Sequence, residues 1–252
     1  MVDFLGENAI ALNERSKQIR RETIILSKAN GGYHYGGSFS AVEILISLYD
    51  KVLTSNDRFI LSKGHACWPY YVLLRERGYD PKLEGHPTLD PKNGVHCSSG
   101  SEGHGLPVGI GMAMAKKRKG EEGNIYVLIG DGECQEGTTW ESLLIAAHYK
   151  LDNLTVIVDY NKIQGSGLVN DILPIQGIDR IAKILGWLVS EINGHSCDEI
   201  ETVIKVKSYE KPRFIIAYTV KGKGVSFMEN EPKWHAQWPD AEHEKQAFKE
   251  LI

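Results

Sequence analysis

Apolar positions along the chain fall into two rhythms. Residues 7–29 ("ENAIALNERSKQIRRETIILSKA") carry them at helical spacing, and "SAVEILISLYD" repeats the pattern with Ser40 placed as its N-cap. Five later runs are almost continuously apolar: residues 58–62 (RFILS), 125–130 (IYVLIG), 154–160 (LTVIVDY), 187–192 (WLVSEI) and 213–220 (RFIIAYTV), with helical patterns between most of them. Such runs predict strands of a parallel sheet with helices on both faces, an α/β fold. In that architecture ligands gather beyond the carboxyl ends of the strands. Asp131 and Asn161 fall just past two such ends. The glycine-rich pieces 31–37, 100–111 and 222–224 read as loops or helix starts rather than linkers, and no internal repeat or low-complexity segment breaks the chain. Its 252 residues suffice for one full core, so a single domain over 1–252 is expected, although length alone does not exclude two.

Composition narrows the function. With 29 Lys and Arg against 33 Asp and Glu, a formal charge of −4 leaves no basic surplus for nucleic acid or anionic lipid, and neither is an expected partner. No apolar run approaches the roughly 18 residues of a membrane span, and the opening "MVDFLGENAIALNERSKQ" is acidic and polar where a signal peptide is basic and then apolar. A cytoplasmic location is expected. Cys67, Cys97, Cys134 and Cys197 are scattered with no C-x-x-C pair, so they suggest neither disulfides nor a thiolate zinc site and read as core or loop residues.

The stretch "GDGECQEG" (130–137) carries candidate chemistry. Taken alone, Gly130-Asp131-Gly132 after a strand is a turn. A neighbouring strand that ends in "DYNKIQ" would set the Asn161 carboxamide beside the Asp131 carboxylate. Two hard oxygen donors suit Mg²⁺, which usually takes one or two carboxylates and completes its octahedron with phosphate and water. A diphosphate is the expected completion. Gly130 and Gly132 let the backbone come close to it, and the helix starting near Glu136 offers amide protons and a positive dipole end.

Gly130-Asp131-Gly132 followed after 28 intervening residues by Asn161 resembles the thiamine diphosphate fingerprint. The surrounding words resemble the transketolase family: "KANGGYHYGGSFSAVEILISLY", "DRFILSKGHACWPYYVLL", "GHP" at 85–87, "SSGSEGHGLPVGIGMAMAKK", "GDGECQEGTTWESLLIAAHYKLDNLTVIVDYNKIQ" and "VKGKGVSFMENEPKWHAQWP". The likeness runs over essentially the whole chain. It implies the thiamine diphosphate-binding (diphosphate domain) fold, with Asp131 and Asn161 binding Mg²⁺ through side chains and Ile163 through its carbonyl. Gly132 would give its amide to the diphosphate, and Gly130, Glu133 and the glycine loop of Gly103, His104 and Gly105 would help hold the cofactor. His65 and His235 would face the diphosphate or the reacting carbon, His34 and His86 the donor sugar. Glu136 would meet its symmetry mate or a partner's glutamate in a carboxylate cluster that must share protons. His96, His148, His195 and His243 read as structural.

The resemblance stops where a full-length transketolase is less than half finished. In the family, a glutamate of the pyrimidine-binding domain drives deprotonation of the cofactor. The implied function is the N-terminal subunit of a split transketolase, working on sugars or sugar phosphates with a C-terminal partner subunit in a heterotetramer. Two departures bear on substrate: tyrosines flank His34 where relatives commonly read glycine and proline, which points to Tyr35 in donor choice, and Glu102 stands where an apolar residue is usual. The alternatives are an α-type subunit of a 2-oxo acid dehydrogenase, a 1-deoxyxylulose-5-phosphate synthase-like chain, and a non-catalytic regulatory or scaffold subunit. A nicotinamide dehydrogenase is disfavoured, because no G-x-G-x-x-G follows the first strand.

Overall fold

The computed structural model describes residues 13–252. In chain order the strands are β1 (Arg58–Leu61), β2 (Ile125–Gly130), β3 (Leu154–Tyr160), the short hairpin pair β4 (Ile163–Gln164) and β5 (Gly167–Leu168), β6 (Leu188–Asn193) and β7 (Arg213–Tyr218). The helices are α1 (Glu14–Ala29), α2 (Tyr35–Ser40), α3 (Val42–Ser47), α4 (Cys67–Arg75), α5 (Gly105–Lys119), α6 (Gly137–His148), α7 (Val169–Ile172), α8 (Ile178–Leu185), α9 (Cys197–Lys205) and α10 (Ala241–Glu250). Five strands form one sheet in the order β1-β2-β3-β7-β6, parallel at every pairing.

Strand period two divides the core between the faces. On β2, Ile125, Val127 and Ile129 turn to the α5, α6 and α8 side, while Tyr126 and Leu128 turn to the α1, α3 and α4 side. Both faces are covered, so the strands read as unbroken apolar runs. β2 and β3 span the residues expected of them, whereas β1 and β7 leave the ladder early because Ser62, Lys63 and Thr219 turn toward the functional end of the sheet. The β4–β5 hairpin was not expected; two residues per strand leave no periodic signal.

The first helix is capped by Asn13, whose Oδ1 accepts the Ser16 amide at 2.8 Å; residues 7–12 of the expected helix lie outside the described residues. Ser40 is not an N-cap. Its helix begins at Tyr35, and Ser40 closes it, giving its hydroxyl to the Gly37 carbonyl and to Asp159. Glycines persist in that helix because a Cβ at Gly37 would lie 2.8 Å from His65 Nε2, and one at Gly36 would lie 3.1 Å from Lys221 Cε. Close approach outweighs their poor helix propensity.

On the α3 side, Arg20 grips Glu43 in a two-point pair at 2.6 and 3.0 Å, and both side chains are essentially inaccessible. Burial alone would raise the Glu43 carboxyl, but the Arg20 charge and the His195 contact hold it down to about 2. The folded value lies below the ordinary 4.5, so the stabilisation is complete above pH 4.5 and is lost as pH falls toward about 2. Urea unfolding across this acid range should show a downward slope that Glu43→Gln removes. The same variant, measured at neutral pH, should lose about 3–5 kcal/mol because it leaves Arg20 buried without a counter-charge.

Packing of α5 on β2 gives a second expectation. A Cβ on Gly109 would sit 2.5 Å from Val127 Cγ2, whereas one on Gly111 of the same helix meets nothing within 4 Å. Gly109→Ala should therefore destabilise by about 1–3 kcal/mol and Gly111→Ala stabilise by up to ~1 kcal/mol, read from urea midpoints.

Candidate active site

The carboxyl ends of the strands open into a cleft of about 400 Å³. β1 runs into Lys63 and His65, β2 into Asp131, β3 into Asn161 and β7 into Lys221, and each of these residues lines the cleft. Beneath its floor lies Asp159, fully buried near the end of β3. It accepts from the Lys63 ammonium, from Ser40 Oγ at 2.6 Å and from the Thr219 hydroxyl. Burial works against that charge, yet Lys63 pulls the Asp159 carboxyl below its usual range.

Asp131 is almost inaccessible, and its two oxygens accept the amides of Gly132, at 2.8 Å, and of Lys162. Gly132 N–H thus serves Asp131 in this state. Burial and the nearby Asp159 charge push the Asp131 carboxyl up, against the Lys162 amide and the Lys221 and Lys63 charges. Asn161 Oδ1 accepts the Ile163 amide at 3.1 Å. The Ile163 carbonyl accepts from Lys221 Nζ at 2.8 Å, and the same ammonium donates to His235 Nδ1 at 3.1 Å. Among the described residues no group of three His, Cys, Asp or Glu is arranged to hold a metal. The donors here are a carboxylate, a carboxamide and a carbonyl on which a lysine ammonium already stands, a set suited to a hard divalent cation completed by phosphate.

Four imidazoles converge above this floor. His34 lies 5.6 Å from His65, 6.2 Å from His86 and 5.2 Å from His235 between ring centroids, and His65 lies 5.0 Å from His235. His34 has left-handed backbone (φ 68°), rare for a residue with a Cβ, and its Nδ1 meets the His235 carbonyl. A carbonyl can only accept, so Nδ1 carries the His34 proton and Nε2 keeps a lone pair. Burial and neighbouring cations disfavour the charged form of two of these rings: His235 falls to about 3, with Lys221 the leading charge, and His65 falls well below its ordinary value, with Lys63 the leading charge. Glu102 Oε1 stands 3.4 Å from His65 Nδ1, and burial raises the Glu102 carboxyl. Glu136 caps α6 and lines the cleft from an exposed position.

Other expected site residues lie elsewhere. Glu133 is fully buried behind the cleft, taking the Ser62 hydroxyl and the amides of Gly103 at 2.9 Å and Gly130 at 3.2 Å. Burial pushes it up to about 7. Gly103 and Gly105 pack behind the wall, where a Cβ would meet Thr138 Oγ1 at 2.7 Å and Ser62 Oγ at 2.4 Å, and His104 points to solvent at the start of α5. Gly100 and Glu102 form the wall instead. Tyr35 is turned away, buried with its hydroxyl 2.9 Å from Ser27 Oγ. Of the histidines read as structural, His148 is exposed against Tyr149 and His195 is buried in a polar network. Lys63 and Lys221 were missed; each is a cation just past a strand end, beside His65 in "SKGHA" and heading "KGKG".

Residues 16–250 match the family described as "Transketolase, thiamine diphosphate binding domain". The chain belongs to the transketolase family. Among its relatives, an apulose-4-phosphate transketolase subunit from Actinobacillus succinogenes is 40% identical over 95% of both chains. The 6-deoxy-6-sulfo-D-fructose transketolase subunit SqwG of a Clostridium species is 33% identical over 98% of both. Human transketolase is 32% identical over 90% of this chain but only 40% of its own length. The crystal structure of Campylobacter jejuni transketolase superposes with a TM-score of 0.83 at 27% identity, over 94% of this chain and 42% of that one. The family assignment carries the thiamine diphosphate-binding fold and the transferase class, and favours them over the dehydrogenase and scaffold alternatives.

The buried pair under the floor can be tested in this transketolase-family chain. Asp159→Asn should cost about 3–5 kcal/mol by stranding Lys63, and adding Lys63→Met should restore most of the loss, since the asparagine can still pair with the Ser40 and Thr219 hydroxyls. Urea denaturation of the two variants measures both.

Proposed function

We propose that the chain is the N-terminal, diphosphate-binding subunit of a two-component transketolase, a single domain over residues 1–252 that works in the cytoplasm on sugar or sugar-phosphate donors. The reaction moves a two-carbon ketol unit from a ketose to an aldose. The observation that carries this reading is the end-to-end likeness to relatives named as transketolase subunits, matched by a cleft that gathers Asp131, Asn161, Ile163 and four histidines. No helix among the described residues is long and apolar enough to cross a membrane.

Thiamine diphosphate, when bound, supplies a nucleophilic thiazolium carbon and an electron sink. Asp131, Asn161 and the Ile163 carbonyl would hold Mg²⁺, with the Lys63 and Lys221 charges toward the diphosphate and the absence of a Cβ at Gly130 and Gly132 leaving room for it. His65 and His235 would face the diphosphate and the reacting carbon, and His34 and His86 the donor's oxygens. Imidazoles held this close can donate to a developing alkoxide and pass its proton. Glu102 brings an acceptor to the same wall and favours hydroxyls over phosphate there. The C-terminal partner would supply the pyrimidine pocket and its glutamate. A second copy of each chain would complete a heterotetramer, with Glu136 near the junction and Leu144, Ile145 and Tyr149, exposed on or beside α6, as apolar cover.

Two measurements test this reading. The purified chain should show no ketol transfer, and should gain it when mixed with a pyrimidine-domain subunit, thiamine diphosphate and Mg²⁺; full turnover by the partner-free chain would refute the split-enzyme reading. In the reconstituted complex, calorimetry should show Asp131→Asn weakening Mg²⁺-dependent cofactor binding by about tenfold or more, ~1.4 kcal/mol. Unchanged affinity would remove Asp131 from the ligand set.

A further inference from the structure

His195 lies outside the cleft, in the loop after β6, and is only 6% accessible. Its Nε2 meets the Val220 amide at 2.8 Å and its Nδ1 meets Glu43 Oε2 at 2.8 Å. A backbone N–H can only donate, so Nε2 holds the lone pair and Nδ1 carries the proton that goes to Glu43. The tautomer is therefore fixed by the fold. Glu43 is held in turn by Arg20, whose Nε donates to the Lys223 carbonyl at 2.7 Å. The Gly222 amide donates to the Gly36 carbonyl at 2.9 Å. The backbone at residues 220, 222 and 223 is thus gripped on both sides of Lys221, whose ammonium enters the cleft to meet Ile163 and His235.

We propose that His195 is a positioning residue that acts through Lys221: the Arg20–Glu43–His195 network clamps the loop after β7 so that a nearly inaccessible lysine presents its charge to the cofactor's diphosphate. The cofactor part of this inference rests on the transketolase reading; the clamp does not. A lysine side chain loses rotamer freedom on being held, and a fixed backbone on both sides leaves fewer arrangements to suppress when the anion arrives. Lys221 itself touches the groups already assigned to the site, so the network's contribution is placement rather than chemistry.

The test compares His195→Gln, whose amide can accept from Val220 and donate to Glu43, with His195→Leu, which can do neither. His195→Asn, too short to span both partners, serves as a milder third variant should leucine prevent folding. In the reconstituted complex, calorimetry with Mg²⁺ and thiamine diphosphate should show leucine weakening binding about tenfold and asparagine less, with glutamine within about twofold of wild type. In a Lys221→Met background the leucine change should add no more than about twofold, because its route to the ligand is already gone. A ligand-free measurement on the chain itself accompanies these: histidine-selective nitrogen NMR should show His195 protonated at Nδ1 only, and amide exchange at Val220 and Lys223 should quicken with leucine and asparagine but not with glutamine. Equal losses for glutamine and leucine, fully additive losses with Lys221→Met, a proton on Nε2, or unchanged exchange would each overturn the proposal. A wild-type complex that bound no cofactor would overturn the functional reading, and with it the diphosphate role of Lys221, while the exchange and tautomer results would still decide the clamp.

Discussion

Between the ends of β1, β3 and β7, one buried carboxylate takes the Lys63 ammonium, the hydroxyls of Ser40 and Thr219 and a longer contact from the Asn161 amide. Asp159 cannot be left unpaired in such a place, because an isolated charge away from water is far more expensive than any single contact it makes. The requirement propagates. Lys63 must point inward, so the chain after β1 turns at Gly64 and presents His65; Ser40 must reach across, so α2 lies tight against the strand ends and needs glycines where it passes His65 and Lys221. The cleft's shape follows from satisfying one acid.

Above that acid the cleft gathers charges of both signs. Lys63 and Lys221 mark the end where Asp131 and Asn161 lie, and each depresses the basicity of the imidazoles beside it. Rings that would be partly charged in water are therefore neutral here, free to act as donor and acceptor at once. Glu102 and Glu136 add carboxylates to the same lining. One pocket accordingly brings cations, imidazoles and carboxylates together.

The sheet was legible in the chain because strands buried on both faces leave unbroken apolar runs, and β2 and β3 end where Gly130 and Tyr160 suggested. Asp131 and Asn161 were legible for a related reason: polar residues just past such runs have few places to go other than the ligand edge. The four histidines were legible only through the resemblance to the transketolase family. What the chain did not disclose depends on contacts across long sequence distances. Glu133 sits two residues from Asp131 yet faces backward to brace Ser62 and Gly103, and nothing local distinguishes the two carboxylates. Tyr35 adjoins His34, but a helical step turns it into the small cluster with Phe39 and Trp234. Lys63 and Lys221 carry no local mark in the chain, and their partners Asp159 and Ile163 lie about a hundred and about sixty residues away. His195 was read as structural, but its partners, which come from α3 and the loop after β7, could not be named from the chain.

The left-handed backbone at His34 bears on any attempt to redesign the pocket. A side chain can be varied freely only where every residue tolerates the main-chain shape, and at φ 68° glycine, asparagine, aspartate and histidine do so far better than β-branched residues, while proline cannot. A saturation library at this position would thus be mostly a library of backbone strain, with its valine, isoleucine, threonine and proline members failing for reasons unrelated to sugar recognition. Diversity in the cleft lining is better introduced at His86 or Glu102, whose backbones carry no such restriction.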